Sequence, residues 1–200
     1  MIDLTMPLDE NTPVYPGDPK PEFNRVAFYA KDGWNEHRIC INTHLGTHID
    51  APWHMIDEGK RLSDFPIEKF VGRGLVVDVR GQEEIDDPLE GIRQGDIVLL
   101  RTDHTKKAAT PEFFTDNPVI SRALALRIVE KQVSIVGIDS FGPDNPPFEV
   151  HKLFFEHDIL SLENLVSLDL LPQDAFQLFV FPIRLEGLDA APCRVIAIVE

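Results

Sequence analysis

The stretch Arg38-Ile39-Cys40-Ile41-Asn42-Thr43-His44-Leu45-Gly46-Thr47-His48-Ile49-Asp50-Ala51-Pro52-Trp53-His54 begins as an alternation and ends as a cluster of ligands. Ile39, Ile41 and Thr43 fall on one side of an extended chain and Arg38, Cys40 and Asn42 on the other, which predicts a strand over 38–43 running into the cluster. Side chains on every second residue of an extended segment share a face, so His44, Gly46, His48 and Asp50 are expected to point the same way. Gly46 would leave room for an ion between two ligands and let the backbone bend around it. A helix would also align His44 with His48, but Gly46 and Pro52 disfavour one. Imidazole and carboxylate are donors that Zn(II), Mn(II) and related divalent ions accept, and no thiolates are interleaved to suggest a structural zinc knot. Such a site has room for water and suits chemistry better than scaffolding.

Outward from this cluster the chain reads as strands around a few helices. β-type runs occur at 75–79, 97–100, 134–138, 177–181 and 194–198, several of them apolar on both faces, as strands covered from both sides tend to be. Helical spacing behind a capping serine marks 121–130, and a second helix is expected from about Phe148 to about His157. The class is α/β, with a strand-rich core and a few flanking helices, in a single domain over 1–200. Residues 1–37, rich in proline and turn formers such as Thr12-Pro13-Val14-Tyr15-Pro16-Gly17-Asp18-Pro19, read as an extended arm or substrate loop.

The chain has 34 acidic and 19 basic side chains, a formal charge of -15. That balance excludes nucleic acid and anionic membranes as partners and points to small substrates that are not strongly anionic. Part of the acidic excess is consistent with metal ligation. The opening residues lack a signal-peptide pattern, and no apolar run approaches the ~18 residues of a membrane span. Cys40 and Cys193 lie outside any CxxC and are expected to be free thiols in a reducing compartment, so a cytoplasmic location is expected.

Two histidines and an aspartate are too few for a catalytic divalent ion, which takes about four to six donors including water. Further ligands must come from His151, His157, Glu149, Glu156, Asp158, Glu163 or the pair Asp103-His104, among which periodicity does not choose. His37, His104 and His157 are each read as ordinary hydrogen-bonded or solvated side chains.

The segment His44-Leu-Gly-Thr-His48-Ile-Asp50-Ala-Pro52-Trp-His54 resembles the HxGTHxDxPxH motif of the metal-dependent cyclase-like hydrolases, a family that includes bacterial kynurenine formamidases and isatin hydrolases. Pro13-Val14-Tyr15-Pro16-Gly17-Asp18-Pro19, Gly137-Ile138-Asp139-Ser140 and the tail from Leu185 to Arg194 resemble its opening loop, a later strand and its closing turn. The resemblance implies a swivelling β/β/α sheet domain, assembled as a homodimer or homotetramer through exchanged N-terminal arms. It also implies two divalent ions, with Zn(II) ahead of Mn(II). One would be held by His44, His48 and Asp50 and the other by Asp50, His151 and Glu163, with Asp50 and Glu163 bridging. His54 matches the family's proton donor and acceptor.

The implied activity is hydrolysis of a C–N amide bond by metal-activated water, foremost of N-formyl-kynurenine to kynurenine and formate in tryptophan catabolism. The alternative is another cyclic amide, lactam or lactone of the isatin type. A non-catalytic, metal-stabilised binding protein is the opposing reading, and His54 argues against it. Two departures bear on the substrate. Tyr15 stands where kynurenine formamidases carry a substrate-contacting tryptophan, and its smaller face weakens stacking on an aromatic ring. The closing turn reads Gly187-Leu-Asp-Ala-Ala-Pro192 where a Gly-Ser pair is common.

Overall fold

The computed structural model describes residues 1–199 and seats the five apolar runs beyond residue 70 side by side in one sheet. Its strands are β1 (Ile2–Asp3), β2 (Glu22–Ala27), β3 (Glu36–Cys40), β4 (His48–Asp50), β5 (Val71–Asp78), β6 (Glu84–Ile85), β7 (Ile97–Arg101), β8 (Val119–Ile120), β9 (Ile135–Ile138), β10 (Leu160–Glu163), β11 (Phe176–Pro182) and β12 (Ala190–Ile198). The helices are α1 (Tyr29–Asp32), α2 (Arg122–Glu130) and α3 (Glu149–Glu156). Strand order in the main sheet is β1-β12-β11-β5-β7-β9-β10-β4, and β4 pairs back onto β12 to close it. The run β5-β7-β9-β10 is parallel, and the pairs at the closure are antiparallel.

Alternation along these strands divides the apolar side chains into two cores. Leu99, Ile135, Leu162, Leu178 and Val195 meet inside the closed sheet, together with Leu4 and Ile49. Val98, Leu100, Val136 and Ile138 face outward beneath Leu124 and Ile128 of α2 and Phe154 of α3. Both faces of β7 and β9 are therefore covered, which is why their sequences read as unbroken apolar runs. Helix α2 starts where Ser121 Oγ accepts the Leu124 N–H at 3.0 Å.

Two expectations are revised and one strand is added. The strand over 38–43 is shorter and earlier: Glu36–Cys40, exposed along its whole length, pairs with β2 in a separate two-stranded hairpin, and residues 43–47 turn. The alternation of Ile39 with its neighbours is real, but nothing in this chain covers its apolar side, and Val26, Phe28, Trp34 and Ile39 are all exposed. The first 37 residues are not one extended arm, because Ile2–Asp3 joins the main sheet against β12 and Leu4 is fully buried. Finally, β10 was hidden in the sequence, as Leu-Ser-Leu-Glu is a four-residue alternation directly behind a charged helix end.

Candidate metal centre

Two short antiparallel strands set the centre. His48 lies opposite Glu163, and Asp50 opposite Ser161. Ile49 of β4 and Leu160 and Leu162 of β10 belong to the inner core. With a side-chain period of two, His48, Asp50, Ser161 and Glu163 therefore share the other face. On the far edge of β4 the residue opposite Asp50 is Ala190, which adds little bulk beside the carboxylate. Helix α3 packs over this face and supplies His151, which is buried.

His44 arrives by a different route from the one expected. Residues 44–47 turn, and Gly46 has a φ of +60°, so His44 is not the next position on an extended face. Gly46 serves the backbone rather than an ion, since a Cβ there would lie 2.2 Å from Leu8 Cδ2. Its carbonyl accepts hydrogen bonds from His48 Nδ1 at 2.8 Å and from Asn164 Nδ2 at 3.0 Å. The first of these fixes the orientation of the His48 ring, with Nε2 turned toward Asp50 and Glu163.

The polar atoms converge. His44 Nδ1 is 2.9 Å, and His48 Nε2 3.3 Å, from Asp50 Oδ1. His48 Nε2 lies 3.5 Å from Glu163 Oε2, and His151 Nε2 lies 3.0 Å from Glu163 Oε1. Within each of the sets His44/His48/Asp50 and Asp50/His151/Glu163 the ligand atoms lie within 4.8 Å of one another, and Asp50 belongs to both. His54 stands beside them, its ring centroid 4.2 Å from that of His44 and its Nδ1 3.5 Å from Asp189 Oδ2.

Charge in this cluster is strongly biased. Burial opposes a charge on His44, but the Asp50 carboxylate and the hydrogen bond to Asp189 outweigh it and push its pKa up to about 11. Burial also opposes a charge on His151, whose contacts with Asp144 and Glu163 carry it up to about 10. Burial alone would raise Asp50, yet His44 and His48 hold it far below the usual carboxylate range. Asp189 is held down at about 2 by its hydrogen bond with His44. His54 goes the other way, kept below the ordinary imidazole value mainly by burial.

These residues fit a divalent ion on their own evidence. Asp50 is 0 % exposed, and neither of its oxygens receives a well-aligned hydrogen bond. A buried carboxylate is costly unless positive charge compensates it, and the raised pKa of His44 beside it shows how strongly this site favours such charge. The donors around it are imidazoles and carboxylates, which suit Zn(II) or Mn(II).

Other sequence candidates lie elsewhere. His104 is buried, stacks on Phe113 and donates through Nε2 to the Phe113 carbonyl at 2.8 Å. His157 is exposed, with Nδ1 donating to the Leu153 carbonyl. Glu149 pairs with Arg122, Asp158 with Lys60 and Asp103 with Arg101, while Glu156 is exposed. Two carboxylates that contact the cluster escaped the sequence reading. Asp189 accepts from His44 Nε2 at 2.9 Å, and Asp144 accepts from His151 Nδ1 at 2.5 Å. Both sit in irregular loops where no periodicity marks them.

Above the polar floor is a cavity of about 550 Å³. Its opposite wall is aromatic. Tyr15 meets Phe114 edge-on at 5.9 Å and Phe141 at 6.0 Å, and Phe114 lies 5.2 Å from Phe141. No lysine or arginine lines the cavity.

A family model described as putative cyclase matches residues 2–145. The kynurenine formamidase of Bacillus cereus is 31% identical over 208 residues, spanning 98% of this chain and 95% of that protein. The kynurenine formamidase of Bacillus anthracis is 31% identical over 207 residues with the same coverage. Among solved structures, a potential metal-dependent hydrolase with cyclase activity superposes with a TM-score of 0.84 at 30% identity, over 98% of this chain and 96% of that one. Isatin hydrolase A from Labrenzia aggregata, bound to benzyl benzoate, gives a TM-score of 0.86 at 26% identity, over 98% and 92%.

Proposed function

We propose, from the premise that this chain belongs to the cyclase family, that it is a metal-dependent hydrolase of amide C–N bonds acting on N-formyl-kynurenine or a close aryl formamide. The observation that carries this reading is Asp50, fully buried and without hydrogen bonds between two sets of imidazole and carboxylate donors, at the floor of an aromatic cavity.

In this reading His44, His48 and Asp50 would hold one ion and Asp50, His151 and Glu163 a second. Such ions supply Lewis acidity, which activates water near neutral pH and offsets negative charge on the acyl oxygen. The chain's own residues do the rest. Tyr15, Phe114 and Phe141 provide an apolar face for the ring of the substrate and shield the reacting carbonyl from bulk water. His54, on the floor and only partly exposed, takes a proton from the attacking water and returns it to the departing nitrogen. Asp189 orients His44 and lies within 3.5 Å of His54, which places both rings in one polar arrangement.

A second reading has a specific observation behind it. The aromatic wall accommodates a fused ring as well as a single one, and the Labrenzia structure is an isatin hydrolase, so a cyclic amide or lactone remains the competing substrate. The exposed apolar side chains of the β2–β3 hairpin support assembly as a homodimer or homotetramer. Among the described residues no helix is long and apolar enough to cross a membrane.

The test is metal analysis of the purified protein with turnover of N-formyl-kynurenine, isatin and simple lactams side by side. Rapid deformylation supports the first reading, ring opening alone supports the second, and turnover of none refutes both. His54→Ala is expected to keep its metal and lose turnover.

A further inference from the structure

Asp144 sits in the proline-rich loop between β9 and α3, is buried, and directs both of its oxygens at one helix. Oδ2 accepts the Val150 N–H at 2.7 Å and, more distantly, the His151 N–H at 3.4 Å. Both belong to the first turn of α3, whose preceding residue, Phe148, provides no side-chain cap. Oδ1 accepts from His151 Nδ1 at 2.5 Å.

With its proton on Nδ1, His151 presents the other nitrogen toward Glu163 Oε1 at 3.0 Å. In the metal-free protein a proton on Nε2 satisfies that contact, and a metal ion bound between the two groups would take the proton's place. The far nitrogen of a metal-binding histidine is characteristically held by a carboxylate or a carbonyl, which sets both tautomer and ring orientation. His48 has such a partner in the Gly46 carbonyl and His44 in Asp189, and Asp144 completes the pattern.

We infer that Asp144 is the positioning residue for the second ion: a single carboxylate that caps α3 and locks the His151 ring so that Nε2 faces Asp50 and Glu163. The inference rests on the two-ion reading above and adds a residue that the reading does not need. It separates two roles that a capping residue alone would not combine.

The experiment titrates chelated protein with Zn(II) and compares wild type with Asp144→Asn and Asp144→Ala. Asparagine keeps an oxygen for the Val150 N–H but carries no charge and cannot satisfy both partners. For Asp144→Asn the expected result is one ion bound as in wild type, the other weakened about 10- to 100-fold, and a chelated melting temperature close to that of wild type. Asp144→Ala should lose both the affinity and the helix cap. Wild-type affinity for both ions in Asp144→Asn would overturn the inference and leave a purely structural cap.

Nitrogen-15 chemical shifts of His151 in the wild-type protein give an answer that depends on no variant. Loaded with Zn(II), Nδ1 should stay protonated and Nε2 should carry the metal, and an unprotonated, metal-bound Nδ1 overturns the assignment. A wild-type protein that takes up no Zn(II) refutes the two-ion reading and this inference together. Two ions in wild type with an unaffected Asp144→Asn variant refutes this inference alone.

Discussion

Asp50→Asn is the sharpest probe of the centre, because this side chain is shared by both ligand sets. An ion that binds only the folded state at about 1,000 times its dissociation constant stabilises it by about 4.1 kcal/mol. In a chain of this size each 1 kcal/mol moves the melting temperature by about 2–4 °C, so wild type should melt roughly 8–16 °C higher when loaded than when chelated. Asparagine is nearly isosteric, but it lacks the charge and offers one oxygen where two faced the ligand groups. The gap should shrink to about 2 °C or less, within the scatter expected for surface-level changes. In the chelated variant two effects oppose each other, since asparagine buries no charge but also removes the carboxylate that holds His44 in its charged form, so the gap rather than the chelated melting temperature is the readout. Differential scanning calorimetry with and without chelator reads both numbers. A wild-type gap retained in Asp50→Asn, or no gap in wild type, would refute the placement of metal at this residue.

Two further outcomes follow from the same geometry. In the chelated protein the pKa values of His44 and His151 are raised to about 11 and about 10 from an ordinary 6.5, so their contribution to stability is fully present below pH 6.5 and fades as pH rises through those values. The chelated melting temperature should therefore fall between pH 7 and pH 10 while the loaded protein changes less, and a gap that narrows with pH would contradict this. Phe141→Ala removes one side of the aromatic wall, and at roughly 0.5–1.5 kcal/mol for an aromatic pair it should raise KM for an aryl formamide about two- to tenfold with kcat largely kept. An unchanged KM would place the ring elsewhere.

How much of this was legible in the sequence depends on whether order in the chain became order in space. The apolar runs around Val98 and Val136 announced their strands because both faces are covered, and the run around Val195 because its alternate residues reach the inner core. His48 and Asp50 announced a shared face because they lie two apart on a real strand. His44 did not follow that rule, as its position depends on a turn at Gly46 whose positive φ is invisible to a count of every second residue. His151 and Glu163 are twelve residues apart on a helix and a strand, and only the family resemblance picked them from the other acids and histidines. Asp144 and Asp189 had no pattern to betray them. The alternation around Ile39 misled for the opposite reason, since it describes a hairpin that this chain leaves uncovered.

The centre lies where β4 closes the sheet between distant parts of the chain. β4 is three residues long, yet it bridges β10 on one edge and β12 on the other. Thr47, just before it, ties the same three regions together: its hydroxyl accepts the Met6 N–H at 2.8 Å and donates to the Asn164 carbonyl at 2.7 Å, and its carbonyl accepts the Cys193 N–H at 3.0 Å. So brief a strand contributes few backbone bonds of its own, and its place is set by these long-range links. The candidate ligands straddle the same joint, with His44, His48 and Asp50 on one side and His151 and Glu163 on the other. His48 and Asp50 meet Glu163 only once β4 has paired with β10. An ion held by both sets would in turn favour closure by the free energy of its binding. Metal affinity and the cooperativity of unfolding should therefore change together in any variant that loosens Thr47, even though that residue offers no ligand.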